Sequence, residues 1–136
     1  GTHVVMGNFK KKYRQCNQCN TRWVGHEEKE SDVNLALYLL DMAYQDAYDK
    51  AFLITADTDL VPAIKMVRQR FPQKEVIALI PKSRFQNAME LRQACNSASR
   101  IEEQHLERNL FPATISLPDG ATIIRPAKYQ PPKQHT

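Results

Sequence analysis

Asp57 and Asp59 stand two residues apart, directly after the apolar run AFLIT at residues 51–55. A run of that length and composition suits a strand buried on both faces. In open α/β sheets the functional crevice opens at the carboxyl ends of the strands. A third carboxylate, Asp32, sits where a long helix should begin, in the first turn favoured by the helix dipole. In a right-handed βαβ unit a helix starts at the edge where the preceding strand ends, so Asp32, Asp57 and Asp59 can converge at one edge. Three carboxylates in one crevice repel one another, and a divalent cation relieves that repulsion. An all-oxygen ligand set suits Mg²⁺ or Mn²⁺. Such an ion binds phosphate oxygens and lowers the pKa of an attacking water. The same D-x-D spacing also serves as an Asp turn followed by a helix N-cap. Thr55 and Thr58 supply hydroxyls on either side of Asp57.

A second constellation is Cys16-Asn17-Gln18-Cys19, a CxxC in a basic, polar stretch. It offers two of the four ligands a zinc site needs. His3 and His26 flank it, which leaves a Cys₂His₂ knuckle open beside a free or redox-active thiol pair. Cys95 reads as core packing on a helix. Cations that could hold phosphates are Lys10, Lys11, Lys12 and Arg14 near the N-terminus. Lys82 and Arg84 follow a second apolar run, at the same carboxyl edge as Asp57. Plain solubility explains such surface charges equally well.

The elements that must position these groups are legible in outline. Residues 3–9 read as a strand, 10–20 as a polar loop and 21–25 as a short return strand. A helix follows, with Ser31 as its N-cap and an apolar stripe at Val33, Ala36, Leu37, Leu40, Ala43, Tyr44 and Ala47. After the strand at 51–55, Asp59 is the expected N-cap of a second helix, with Pro62 tolerated in its first turn. Residues 75–80 (EVIALI) form a second buried strand, and 85–95 a third helix. Residues 114–117 and 121–124 flank Pro118-Asp119-Gly120, the signature of a hairpin turn. The expected fold class is α/β: a Rossmann-like three-layer sandwich with a mostly parallel sheet, plus a small C-terminal β-hairpin. A single domain is expected over 1–125, with a basic segment at 1–26, a core at 27–101 and a hairpin extension at 102–125. A Pro-rich tail, expected to be extended or disordered, follows at 126–136.

Composition narrows the classes. The chain has 136 residues, 19 Lys+Arg against 15 Asp+Glu, and 42% hydrophobic residues, an ordinary globular balance. The net charge of +4 hides an uneven distribution. Residues 1–26 hold five basic side chains and no acid, whereas 27–49 hold seven acids and one lysine. Phe9, Tyr13 and Trp23 are interleaved with the basic arm, a mixture suited to base stacking with phosphate neutralisation. No apolar run is long enough for a membrane span. Three cysteines make no complete disulfide framework, and a reduced, cytoplasmic setting is the expectation. No GxGxxG or GxxxxGK[ST] is present, so dinucleotide and P-loop cradles are not expected. The chain begins without methionine, within what reads as a strand, as a fragment would.

The stretch from Lys29-Glu30-Ser31-Asp32-Val33 through Tyr48-Asp49 to Thr55-Ala56-Asp57-Thr58-Asp59-Leu60-Val61-Pro62 resembles the NYN domain, a branch of the PIN-like nuclease superfamily. The resemblance runs over roughly residues 27–101, with TADTDLVP its most specific block. It implies a Rossmann-like fold and metal-dependent cleavage of RNA. By position, Asp32, Asp57 and Asp59 would be catalytic, metal-binding carboxylates, and Thr55 and Thr58 would support their loop. Two departures stand out. Ala56 replaces a usual glycine, and the family's first strand, which ends in another catalytic aspartate, has no counterpart before residue 27. Loss of one ligand from a catalytic metal site costs orders of magnitude in rate.

The expected function is therefore a metal-dependent ribonuclease, a hydrolase using Mg²⁺ or Mn²⁺, with zinc at Cys16 and Cys19 as a further candidate cofactor. RNA is the expected partner, with no membrane and with a homodimer or a partner chain completing the sheet. One alternative is a non-catalytic nucleic-acid-binding or assembly module. Another is a haloacid-dehalogenase-type phosphatase with Asp57 as nucleophile and Asp59 as acid/base. That pattern also requires a later acidic pair after a buried strand, and none of Glu75, Glu90, Glu102, Glu103, Glu107 or Asp119 forms one.

Overall fold

The computed structural model describes residues 2–130. The chain divides into two compact units, Gly1–Arg100 and Ile101–Thr136. The first is mixed α/β and carries the sequence features that could do chemistry.

Its centre is a three-stranded parallel sheet in the order β3-β4-β5, formed by β3 (Lys50–Ile54), β4 (Glu75–Pro81) and β5 (Ser97–Ile101). β3 pairs with β4 in register from Lys50 opposite Glu75 to Ile54 opposite Leu79. The connection from β3 to β4 runs through a 3₁₀ turn, Thr58–Leu60, and α2 (Val61–Arg70). The connection from β4 to β5 runs through α3 (Lys82–Phe85) and α4 (Met89–Ala94). α1 (Ser31–Tyr44) precedes β3 and packs on α2.

The core follows from period-two burial in the strands. Leu53, Val76, Ala78 and Ile80 point to one face and meet Leu60, Ile64, Val67 and Leu91 from the connecting elements. Each fully buried branched side chain contributes about 1.5–3 kcal/mol against leaving it in water. On the other face Phe52 and Ile54 stand 60% and 71% exposed. β3 is therefore covered on one face among the described residues, where burial on both faces was expected. Its apolar run is longer than the single packed face requires.

Several local expectations are corrected. Residues 3–7 carry no strand, and 10–15 are no loop. Instead β1 (Asn8–Gln15) and β2 (Arg22–Lys29) form an antiparallel ribbon, with Asn8 opposite Lys29 and Gln15 opposite Arg22. The ribbon is held by the ladder and by Lys12 and Lys29 against Glu27, at 2.9 and 3.4 Å. Ser31 is the first residue of α1, and its N–H and hydroxyl both donate to Glu28 Oε1. α1 buries Leu39 and Ala43, while Val33 and Leu37 of the expected stripe are 61% and 58% exposed. The expected third helix is two short helices separated by Gln86–Ala88, and Cys95 caps the second in the core.

Lys74 is the buried charged side chain among the described residues, at 1% exposure. Its ammonium donates to Tyr48 O at 2.6 Å and to Asp46 Oδ1, and lies 5.2 Å from the Tyr48 ring centroid. The neighbouring Lys74 holds the Asp46 carboxyl below its ordinary value. These contacts tie the end of α1 to the turn that enters β4. Lys74→Ala removes both the packing and the donors, so it should lower the unfolding free energy by about 2–4 kcal/mol. A urea titration showing a loss below about 0.5 kcal/mol would contradict this role.

The second unit contains α5 (Glu103–Glu107) and a hairpin of β6 (Thr114–Ser116) and β7 (Thr122–Ile124), as its turn residues indicated. Gly120 takes the left-handed backbone (φ 84°) the turn requires. Residues 131–136 of the Pro-rich tail lie outside the described residues. No helix among the described residues is long and apolar enough to cross a membrane.

Candidate active site

The parallel strands β3 and β4 end side by side, and the segments that follow them wall a common cavity of about 440 Å³. From β3 come Thr55, Ala56, Asp57 and Thr58; from the segment after β4 come Arg84 and Asn87; from the start of α1 comes Asp32. This is the carboxyl edge, where loops rather than packed strands meet solvent.

The β3 loop is fixed by its own side chains. The Asp57 N–H donates to Thr55 Oγ1 at 3.0 Å. Asp57 Oδ1 accepts from the Asp59 N–H at 2.8 Å, which makes Asp57 the N-cap of the 3₁₀ turn. α2, for which Asp59 was the expected N-cap, has Leu60 at that position and no side-chain cap. One Asp57 oxygen serves the fold while the carboxylate still reaches the cavity.

Asp59 does not line this cavity. It lines a neighbouring one of about 400 Å³ together with Glu28, Glu30 and Asp32. Asp32 therefore stands between the two, sharing one wall with Asp57 and the other with Asp59. Partial loss of hydration pushes the Asp32 carboxyl above its ordinary value, and repulsion from Asp57, Glu28 and Asp59 pushes it further the same way. The site is anionic by construction, with Arg84 as the cation on its wall.

Among the described residues, no group of three His, Cys, Asp or Glu side chains is gathered closely enough to hold a metal ion. Mg²⁺ is commonly held by one or two carboxylates, with several retained waters and substrate phosphates. A cavity walled by Asp32 and Asp57 fits that demand in donor chemistry and charge. It does not fit a soft metal that needs a closed set of nitrogen or sulfur ligands.

The other sequence candidates lie elsewhere. Lys10, Lys11, Lys12 and Arg14 are on β1, on an exposed strand and not a loop, and Lys12 is paired with Glu27. Lys82 opens α3 but does not line the cavity, whereas Arg84 does. Cys16 and Cys19 are free thiols at the tip of the ribbon. His3 packs edge-on against Tyr38, with ring centroids 5.4 Å apart, and His26 lies opposite Lys11 on the ribbon. Neither histidine joins the cysteine pair. Asn87 and Glu28 escaped the sequence reading. Asn87 lies three residues beyond Arg84, so the rule that selected Arg84 reaches it. Glu28 is hidden in an acidic run whose members are indistinguishable by type.

The profile of the NYN domain family matches residues 6–102. The chain is also similar to 6-hydroxy-3-succinoylpyridine 3-monooxygenase HspA of Pseudomonas putida (strain DSM 28022 / S16), with 42% identity over 55 residues. That segment is 40% of this chain and only 17% of the relative's length. No solved structure matches.

Proposed function

The chain belongs to the NYN domain family, and on that footing we propose that it hydrolyses RNA phosphodiester bonds with a divalent metal at the Asp32–Asp57 cavity. NYN domains are generally nucleases, and they act on RNA. The observation that carries the reading is one cavity wall bearing two mutually repelling carboxylates, an arginine and a carboxamide, at the carboxyl edge of a parallel sheet.

Asp32 and Asp57 would hold the ion. When bound, Mg²⁺ or Mn²⁺ would neutralise phosphate charge and supply a water of lowered pKa. The remaining work falls to the chain. Arg84 pairs its guanidinium with a non-bridging phosphate oxygen, where a planar fork suits two oxygens. The Asn87 amide donates to the same phosphate or to the leaving oxygen. Thr55 Oγ1 holds the Asp57 backbone and the Asp59 N–H holds the Asp57 carboxylate before substrate arrives, so little ordering cost falls on the reaction step. Asp59 supports Asp57 through its backbone and adds negative potential from the adjoining cavity.

Phe9, Lys11 and Tyr13 share one face of the ribbon, which would track a single strand by stacking and phosphate contact. The same ribbon favours a second reading, an RNA-binding module without catalysis. The two are separated by incubating the chain with end-labelled single-stranded RNA. Hydrolysis should require added Mg²⁺ or Mn²⁺, stop with EDTA and resume on metal add-back. Its products should lack a 2′,3′-cyclic phosphate, the mark of metal-independent ribonucleases. Salt-sensitive binding with no cleavage in either metal would leave the binding module.

A further inference from the structure

The ribbon tip is a feature that the cavity chemistry does not use. Cys16 and Cys19 close the turn between β1 and β2. The Cys16 N–H donates to Thr21 O at 2.9 Å, and the Asn20 N–H donates to Cys16 O at 2.9 Å. Asn20 adopts the left-handed backbone, with φ of 57°, a conformation asparagine tolerates better than most residues. This tight reversal places the two cysteines three positions apart in one turn of the chain. The Cys19 thiol also donates to Thr21 Oγ1 at 3.2 Å. Both thiols are free, Cys19 is exposed, and every residue of β1 is exposed along its length.

Two thiols three positions apart, in a turn with hydrogen-bonding groups beside the sulfur, are half of a tetrahedral thiolate site. The described residues do not supply the other half. Cys95 is buried in the core, and no third ligand joins the pair among the described residues.

We propose that Cys16 and Cys19 form one half of a Zn²⁺ site whose other half is the same pair from a second copy of this chain. A two-fold axis through the metal then supplies four sulfurs from one repeated patch, the geometry of an isologous dimer. Charge supports a second copy as the occupant. Zinc with four thiolates carries two net negative charges. Each ribbon brings Arg14 and Arg22 to the strand ends beside the tip, and the segment 1–26 contains five bases and no acid. Two such basic ribbons repel one another without the metal and are drawn together by the anionic centre. The proposal is independent of the nuclease reading.

The test uses the tag-free chain purified with Zn²⁺ and without chelator. Elemental analysis should find one zinc per two chains, and light scattering should give twice the 15.7 kDa chain mass. EDTA should release the zinc and halve the mass. Co²⁺ in place of Zn²⁺ should give the absorption of a four-sulfur tetrahedral site. Cys19→Ser and, separately, Cys16→Ser should abolish both metal and dimer while leaving the far-ultraviolet circular dichroism unchanged. Absence of zinc overturns the proposal. So does one zinc per chain on a monomer, or a dimer that survives both the chelator and the cysteine variants.

Discussion

Asp57→Asn should slow RNA cleavage by at least about a hundredfold while leaving the fold in place. The two halves of that expectation come from the two oxygens of one side chain. Asp57 Oδ1 accepts from the Asp59 N–H and caps the 3₁₀ turn. An asparagine carbonyl accepts the same bond, so the turn and α2 behind it lose little. The amide brings no charge to the cavity it shares with Asp32 and Arg84. Affinity for a hard cation falls accordingly. Single-turnover rates at saturating Mn²⁺, with a thermal melt of each protein, separate the two effects. A variant that cleaves within about threefold of the parent would remove Asp57 from the chemistry.

Asp32→Asn should act in opposite directions on activity and on stability. Cleavage should again fall by about a hundredfold or more, because the second carboxylate of the cavity is gone. Without metal, the variant should melt no lower than the parent, and modestly higher. The reason is the sign of the electrostatics. Desolvation and the repulsion from Asp57, Glu28 and Asp59 raise the Asp32 carboxyl above its ordinary value. Its ionised form is therefore less favourable in the folded chain than in the unfolded one. That penalty grows as pH rises from the unfolded value through the folded one, and it persists at neutral pH. The first turn of α1 favours a negative charge, which works the other way, but the net direction is upward. Saturating Mn²⁺ should raise the melting temperature of the parent and leave the variant unmoved. Calorimetry in EDTA and in Mn²⁺ reads both. A variant that melts lower in EDTA and still cleaves would reverse the assignment.

How much of this was legible in the sequence depends on whether a residue type carries a signal of its own. β3 and β4 stand out because AFLIT and EVIALI are apolar runs bounded by polar residues, and the D-x-D loop follows from their ends. The β1–β2 ribbon does not stand out. With no buried face, its strands show no alternation of apolar and polar residues, and Lys10 to Arg14 look like loop. β5 escapes for a similar reason. Its sequence is small and polar, and the segment is fixed by tertiary bonds: Asn96 N–H to Val76 O at 2.8 Å, and Val76 N–H to Asn96 Oδ1 at 2.9 Å. α1 is visible as a helix, but apolar residues lie on more than one of its sides. Periodicity therefore found the helix and chose Val33 and Leu37 over Leu39. At the site, Asp32, Asp57 and Arg84 were reachable because they are charged and lie at strand or helix ends. The separation of Asp59 from that cavity was not reachable. It depends on which way Asp57 turns to cap the 3₁₀ turn, and D-x-D spacing does not fix that choice.

The most direct test is to locate the ion itself. Crystals of the chain grown with Mn²⁺ and a short RNA bearing a hydrolysis-resistant linkage should show an anomalous manganese signal bonded to the carboxylates of Asp32 and Asp57. A phosphate oxygen should lie on the metal, with Arg84 on the same phosphate. Manganese bound elsewhere, or RNA seated with its phosphates away from this cavity, would contradict the assignment of the site.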